Sequence, residues 1–373
     1  MAVVSNPRAA APPALAGFDH VEWWVGNARH TAQFFAAGFG FTVIAYAGPE
    51  TGRRDRQSYV LTQGDICFVV TSPLDGDSDV AEHVRRHGDG VRVVAYRVDD
   101  AREAHDRAVA RGGHSVQEPM RLVDDHGAVR VAAIAAYGDT VHALIERGHY
   151  DGPFLPGFEA HAIPIAVGAP VGLTRFDHVV ANVEDGKLTE WVDWYQRVWG
   201  LGELQHFTED DISTEFSALR STVVWNEGRV VQPINEPAAG LRKSQIAEYL
   251  DYYGSPGVQH LALRTDDIVT TVRSLRDRGV QFLRVPPDYY DEAPARMSPL
   301  DVELPWEELA QLGILADRDP QGYLLQVFTE PVASRPTAFI EIIQREGARG
   351  FGEGNFRALF MSIEAEQARR GNL

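Results

Sequence analysis

The 373-residue chain has a single cysteine, Cys67. That excludes an internal disulfide and any site built from several thiolates, and it suits a reducing compartment such as the cytoplasm. Basic residues are few beside acidic ones, 35 against 53, for a net charge of −18. Nucleic-acid binding needs a clustered excess of Lys and Arg, so no nucleic-acid partner is expected. Long apolar runs are missing as well. No stretch approaches the ~20 residues that a membrane-spanning helix requires, so no membrane partner is expected. The opening residues, MAVVSNPRAAAPPALAG, lack the apolar core of a signal peptide, and residues 1–16 read as a flexible tail of a soluble protein.

Hydrophobic residues make up 44% of the chain and charged residues 24%, which is ordinary globular composition with enough material for two cores. A diverged internal repeat organises it. Phe18-Asp19-His20-Val21 recurs as Phe176-Asp177-His178-Val179. Gly90-Val91, followed by an apolar strand and Asp99-Asp100, recurs as Gly257-Val258 and Asp266-Asp267. The helical pattern after each Asp pair closes at Arg111-Gly112 and at Arg278-Gly279. Asp124-Asp125-His126-Gly127 matches Asp319-Pro320-Gln321-Gly322, and Ile145-Glu146-Arg147 matches Ile343-Gln344-Arg345. The matches keep one order, which marks two copies of one module.

Strands are expected over 257–264, 323–329 and 337–343, and helices over 100–111, 267–278 and 354–369. Between the copies, Pro153, Pro156, Pro164 and Pro170 alternate with glycines, so residues 151–173 read as a linker. The N-terminal domain is then 17–150 and the C-terminal domain 174–373.

Three residues in the second copy suggest a metal. His178, His260 and Glu341 fall on separate expected strands, and two imidazoles with one carboxylate make the facial triad of Fe(II) oxygenases. A histidine on a strand is more often a core residue. Glu341 is different, because a carboxylate within Ala338-Phe339-Ile340-Glu341-Ile342-Ile343 is costly to bury unless a cation compensates it. In the first copy His20 corresponds to His178, but Val93 and Ala143 stand where His260 and Glu341 would be. That copy is expected to bind no metal.

Several segments resemble the 4-hydroxyphenylpyruvate dioxygenases. They are Pro233-Ile234-Asn235-Glu236-Pro237, Lys243-Ser244-Gln245-Ile246, Gly257-Val258-Gln259-His260 and Leu324-Leu325-Gln326-Val327-Phe328-Thr329. Phe339-Ile340-Glu341-Ile342-Ile343-Gln344-Arg345 and Gly350-Phe351-Gly352-Glu353-Gly354-Asn355-Phe356 complete the set. The resemblance is close over 174–373 and looser over 18–160. It implies an α+β vicinal-oxygen-chelate fold, with tandem βαβββ modules forming two open-barrel domains and a lid helix over 354–370. It also implies one Fe(II) per chain on His178, His260 and Glu341, and a dimeric or tetrameric homo-oligomer. Ser217, Asn235, Gln245, Gln259 and Gln326 match the family's polar pocket residues. Phe328, Phe339, Phe351, Phe356 and Phe360 match its aromatic wall.

The implied reaction joins an aromatic 2-oxo acid to O2. 4-Hydroxyphenylpyruvate loses CO2, its ring is hydroxylated, its side chain migrates, and homogentisate results, a step of tyrosine and phenylalanine catabolism. The nearest alternative is hydroxymandelate synthase, which oxidises the benzylic carbon instead. Pro233, Asn235, Phe356 and Phe360 follow the dioxygenase pattern. A binding protein without catalysis and a glyoxalase-type isomerase are further alternatives. Two features depart from the family: Gln232 before Pro233, and a proline-interrupted loop at Glu292-Ala293-Pro294-Ala295-Arg296-Met297. These raise the possibility of a modified arylpyruvate as substrate.

Overall fold

The repeat becomes two sheets with one strand order in the computed structural model, which describes residues 11–160, 168–209, 218–300 and 302–372. In the first sheet the order is Ser115–Asp124, Gly127–Ala135, Val141–Glu146, Gly90–Arg97, Gly17–Trp24, Ile66–Pro73, Arg56–Gln63 and Thr42–Ala47. The second repeats it as Leu315–Asp319, Gly322–Phe328, Phe339–Glu346, Gly257–Thr265, Leu173–Asn182, Val231–Ala238, Ala218–Trp225 and Gly202–Phe207. Each sheet holds two βαβββ units, whose helices are Ala28–Phe39 and Ala101–Ala110 in one half and Leu188–Trp199 and Ile268–Asp277 in the other. This is the α+β vicinal-oxygen-chelate fold. Each sheet curls into half a barrel, and the second turns one face toward a cleft.

Most repeated residues do structural work. Asp100 and Asp267 are helix N-caps, accepting hydrogen bonds from the Glu103 and Thr270 backbone N–H groups, and such a cap contributes about 1 kcal/mol. Gly112 and Gly279 end those helices at φ 92° and 87°, a conformation that glycine adopts without steric cost. Asp124 and Asp319 open two-residue hairpin turns, each accepting from the backbone N–H two positions on. The expected helices and strands therefore form close to their expected bounds, the last helix at Glu353–Arg369.

The interior differs from the expectation of two cores. One apolar cluster runs across both halves, with Phe18 edge-on to Phe176 at 5.8 Å and Tyr96 against Trp199 at 5.6 Å. Nor is the tail free up to residue 16. The Leu15 carbonyl accepts from Asn226, and the Ala16 N–H donates to the Arg97 carbonyl. Part of the expected linker also belongs to the first half. Phe154 and Phe158 are buried on its sheet, and Glu159–Ala160 pairs with Thr42–Ala47. Residues 161–167 lie outside the described residues. The expected loop at 292–297 is a helix, Tyr289–Met297, with Pro294 inside it. The Tyr289 hydroxyl donates within hydrogen-bond reach of Ala316 and Asn355, and Arg296 stacks on its ring, which ties this helix to the sheet.

One buried ion pair anchors the first half. The Asp19 side chain is fully buried and takes two hydrogen bonds from Arg147, at 2.8 and 2.7 Å. Burial opposes the charge, yet hydrogen bonds from His20 and Arg147 hold the carboxyl well below the usual range. Removing one partner of such a pair strands the other. Arg147→Met should therefore lower the unfolding free energy by about 3–5 kcal/mol in urea titration, and a loss under about 1 kcal/mol would contradict this account.

Candidate metal centre

Two β-bulges shape the centre of the second sheet. Along the pairing of Leu173–Asn182 with Gly257–Thr265, Phe176 faces Leu263 and His178 faces Ala262, so Asp177 is the extra residue. Further on, Val180 faces His260 and Ala181 faces Val258, which leaves Gln259 extra on the other strand. Each bulge sets the residue before a histidine beside the imidazole. Asp177 Oδ1 lies 2.8 Å from His178 Nδ1, and Gln259 Oε1 lies 3.0 Å from His260 Nδ1. Both oxygens accept, so each Nδ1 carries a proton, and Nε2 is the nitrogen left to face a metal in place of any second proton. Simple alternation turns Gln259 away from His260, and the bulge is why it instead stands next to it.

The third group arrives by register. Ala262 faces His178 on one side and Glu341 on the other, so its methyl separates the two across three adjacent strands. Glu341 Oε2 is 3.2 Å from His178 Nε2 and 3.3 Å from His260 Nε2, with one donor atom of each residue within 4.8 Å of the others. All three are buried. Two lone pairs and a carboxylate converging on one point can hold a divalent cation. The structure brings His178, His260 and Glu341 together from three separate strands.

Electrostatics show what a bound cation would compensate. Burial disfavours charge on His178, but the Glu341 carboxylate and the Asp177 hydrogen bond outweigh it and raise the pKa to about 9. Burial also opposes ionisation of Glu341, and the two imidazoles overcome it, holding the pKa at about 2. At His260 burial prevails and lowers the pKa. Behind His178, the Arg345 guanidinium grips Asp177 through Nε at 2.8 Å and its terminal nitrogen at 2.9 Å, the same fork that Arg147 makes on Asp19.

The first half keeps this frame without its contents. Asp19 and Arg92 are the extra residues of equivalent bulges, and His20 faces Ala95, which faces Ala143. Val93 stands where His260 would be. The Phe154 ring sits edge-on to His20 at 5.0 Å and fills the space above it.

Above the triad lies an open cleft walled largely by aromatic and amide side chains. The five phenylalanines matched above, Phe328, Phe339, Phe351, Phe356 and Phe360, all line it, and Phe339 stacks on His260 at 4.7 Å. So do Asn235, Gln245, Gln259 and Gln326, while Ser217 lies outside the described residues. Gln232 is buried but does not line the cleft. Sequence reasoning missed Ser221, which pairs with Asn235 across the strands and shares its face. Counting by twos from Leu219 through Ser221 to Val223 was the available signal, since all three line the cleft. The last helix closes one side through Phe356, Leu359 and Phe360. It starts at Gly352, at φ 77°, where a Cβ would come within 2.6 Å of the Gln326 amide nitrogen. Glycine there lets the helix approach the amide closely.

Comparison with known proteins agrees with this architecture. The family described as "Hydroxyphenylpyruvate dioxygenase, HPPD, N-terminal" matches residues 10–154, and "Glyoxalase/Bleomycin resistance protein/Dioxygenase superfamily" matches 175–327. A 4-hydroxyphenylpyruvate dioxygenase of Dictyostelium discoideum is 46% identical over 96% of this chain and all of its own length. One from Xenopus tropicalis is 44% identical, covering 95% and 92%. Among solved structures, a substituted 4-hydroxymandelate synthase from Streptomyces coelicolor superposes with a TM-score of 0.83 at 35% identity, over 96% of this chain and 100% of that one.

Asp177 is tested by its effect on metal affinity. Asp177→Asn keeps the shape but removes the charge that pairs with Arg345 and orients His178. Affinity for a divalent probe such as Co(II) should fall about 10–100-fold in calorimetric titration, and an unchanged affinity would refute the role assigned to Asp177.

Proposed function

We infer, from the premise that this chain belongs to the 4-hydroxyphenylpyruvate dioxygenase family, that it is an Fe(II) enzyme converting 4-hydroxyphenylpyruvate and O2 to homogentisate and CO2. The observation that carries this is the buried His178–His260–Glu341 triad at the floor of a phenylalanine-lined cleft. The donor set suits Fe(II), because two neutral imidazoles and one carboxylate hold a divalent ion while leaving positions open for other ligands. When bound, the iron supplies the redox chemistry that joins O2 to a 2-oxo acid.

The protein's own share is positioning. Asp177 and Gln259 keep the Nδ1 protons in place, so both Nε2 atoms stay directed at the ion. The substrate's carboxylate and keto group face the triad in this reading, and its aromatic ring lies among Phe328, Phe339, Phe351, Phe356 and Phe360. Rings at offset or edge-on contact hold an aromatic substrate better than aliphatic walls do. Asn235, Gln245, Gln326 and Ser221 offer hydrogen bonds to substrate oxygens, and Ser217 is proposed alongside them by family resemblance. The helix Glu353–Arg369 keeps bulk water from the reacting atoms.

Ring hydroxylation is favoured over benzylic oxidation. Full-length dioxygenase relatives reach 46% identity, against 35% for the mandelate synthase, and Pro233, Asn235, Phe356 and Phe360 follow the dioxygenase pattern. The proposed compartment is the cytoplasm, which suits the lone Cys67. Self-association into a dimer or tetramer belongs to the same proposal. It is supported by the first sheet's edge strand, Ser115–Asp124, which exposes Val116, Met120 and Val123.

The decisive assay loads the protein with Fe(II) under anaerobic conditions, then adds 4-hydroxyphenylpyruvate and O2 and identifies the product. Homogentisate is expected. 4-Hydroxymandelate would move the protein to the synthase reading, and no oxygen uptake with any arylpyruvate would remove the dioxygenase reading. Glu341→Ala should abolish turnover, whereas His20→Ala should leave iron content unchanged.

A further inference from the structure

A second cluster of ligand-type side chains lies in the first half, apart from the cleft. His83 and His87 stand four positions apart on the helix Asp79–His87, so their rings leave from one face. Asp139, from the turn between Gly127–Ala135 and Val141–Glu146, reaches the same point, with one donor atom of each residue within 4.8 Å of the others.

Two details of this grouping bear on a bound cation. His87 Nδ1 is 2.6 Å from the Tyr253 carbonyl oxygen, which only accepts, so Nδ1 carries a proton. His87 Nε2 then turns toward Asp139 Oδ2 at 2.7 Å, and two acceptors at that distance need a cation between them, a proton or a metal ion. The second detail is His83. It is 3% exposed, its ring lies 4.7 Å from that of His87, and neither of its nitrogens has a hydrogen-bond partner among the described residues. A buried polar atom left unpaired is costly, and a metal on the unprotonated nitrogen would satisfy the lone pair there. Burial also pushes the His83 pKa down to about 3, so the ring is neutral and has a lone pair to donate.

We propose that His83, His87 and Asp139, away from the His20 position and contrary to the expectation of a metal-free first half, form a second site for a divalent transition metal of the zinc type, independent of the dioxygenase reading. Imidazole and carboxylate donors suit Zn(II), and two histidines at i and i+4 on a helix present both nitrogens to it. Bonds of about 2.0–2.1 Å in tetrahedral geometry put ligand atoms about 3.3 Å apart, so the His87–Asp139 contact opens slightly as the ion enters. Asp139 is partly exposed, which leaves the fourth position to water. Arg86, 3.9 Å from Asp139, and Arg92, near His83, oppose a cation and moderate its affinity. Through Tyr253 the site joins the first half to the helix Gln245–Tyr253, whose first residue lines the catalytic cleft.

The test measures zinc bound to chelator-stripped, full-length protein after dialysis against Zn(II). The unmodified chain should hold one equivalent more than either His83→Gln or Asp139→Asn, and Glu341→Gln should lose the other equivalent instead. Both first-half variants, once loaded with iron, should turn over as the unmodified protein does. Asp139 lies near the surface, so its variant keeps the test valid if a change at buried His83 impairs folding. Equal zinc in the unmodified protein and in Asp139→Asn overturns the proposal, as does a single equivalent in the unmodified protein that Glu341→Gln abolishes.

Discussion

The site depends on a buried carboxylate that one arginine keeps ionised. Asp177 cannot hold its charge in the interior unaided, because desolvation opposes it, and the Arg345 fork supplies the compensation. Once ionised, Asp177 fixes the Nδ1 proton of His178 and thereby aims Nε2 at the centre. Arg345 in turn stacks on Phe351, whose ring lies edge-on to His178, so metal geometry and cleft wall share one support. The β-bulge makes this possible by bringing adjacent residues of one strand to bear on the same imidazole.

Duplication explains why such a costly arrangement occurs twice. The first half retains the bulge, the aspartate, the arginine fork and the histidine, but Phe154 occupies the space where a ligand would enter. In that half the motif serves as a buried anchor, and in the second it serves as a foundation for a triad able to hold a metal. The contrast separates what the fold requires from what the chemistry requires. Asp–His–Arg belongs to the frame, whereas His260 and Glu341 are the additions that turn an anchor into a site.

Much of this was legible in the sequence. The repeated segments marked the caps and hairpins that define each module, and Glu341 stood out as a charge in an apolar strand. Gln259 was placed in the pocket by resemblance alone, because period-2 alternation has no means of registering the bulge that sets it beside His260. The linker was misjudged at Phe154 and Phe158, where proline and glycine content outweighed the apolar residues that pack on the sheet. Composition also read Glu292 to Met297 as a loop, although Tyr289, Ala293 and Met297 bury one face of a helix. Asp139 could not be associated with His83 and His87, since only the fold brings that turn to that helix.

The central claim is that both imidazoles meet the ion through Nε2, with their protons held on Nδ1 by Asp177 and Gln259. Long-range proton–nitrogen NMR on protein with 15N-labelled histidine, loaded with diamagnetic Zn(II), reads that state directly. The account predicts that His178 and His260 each show a protonated Nδ1 and a metal-bound Nε2. A metal-bound Nδ1 on either ring, or rapid exchange between tautomers, would contradict it.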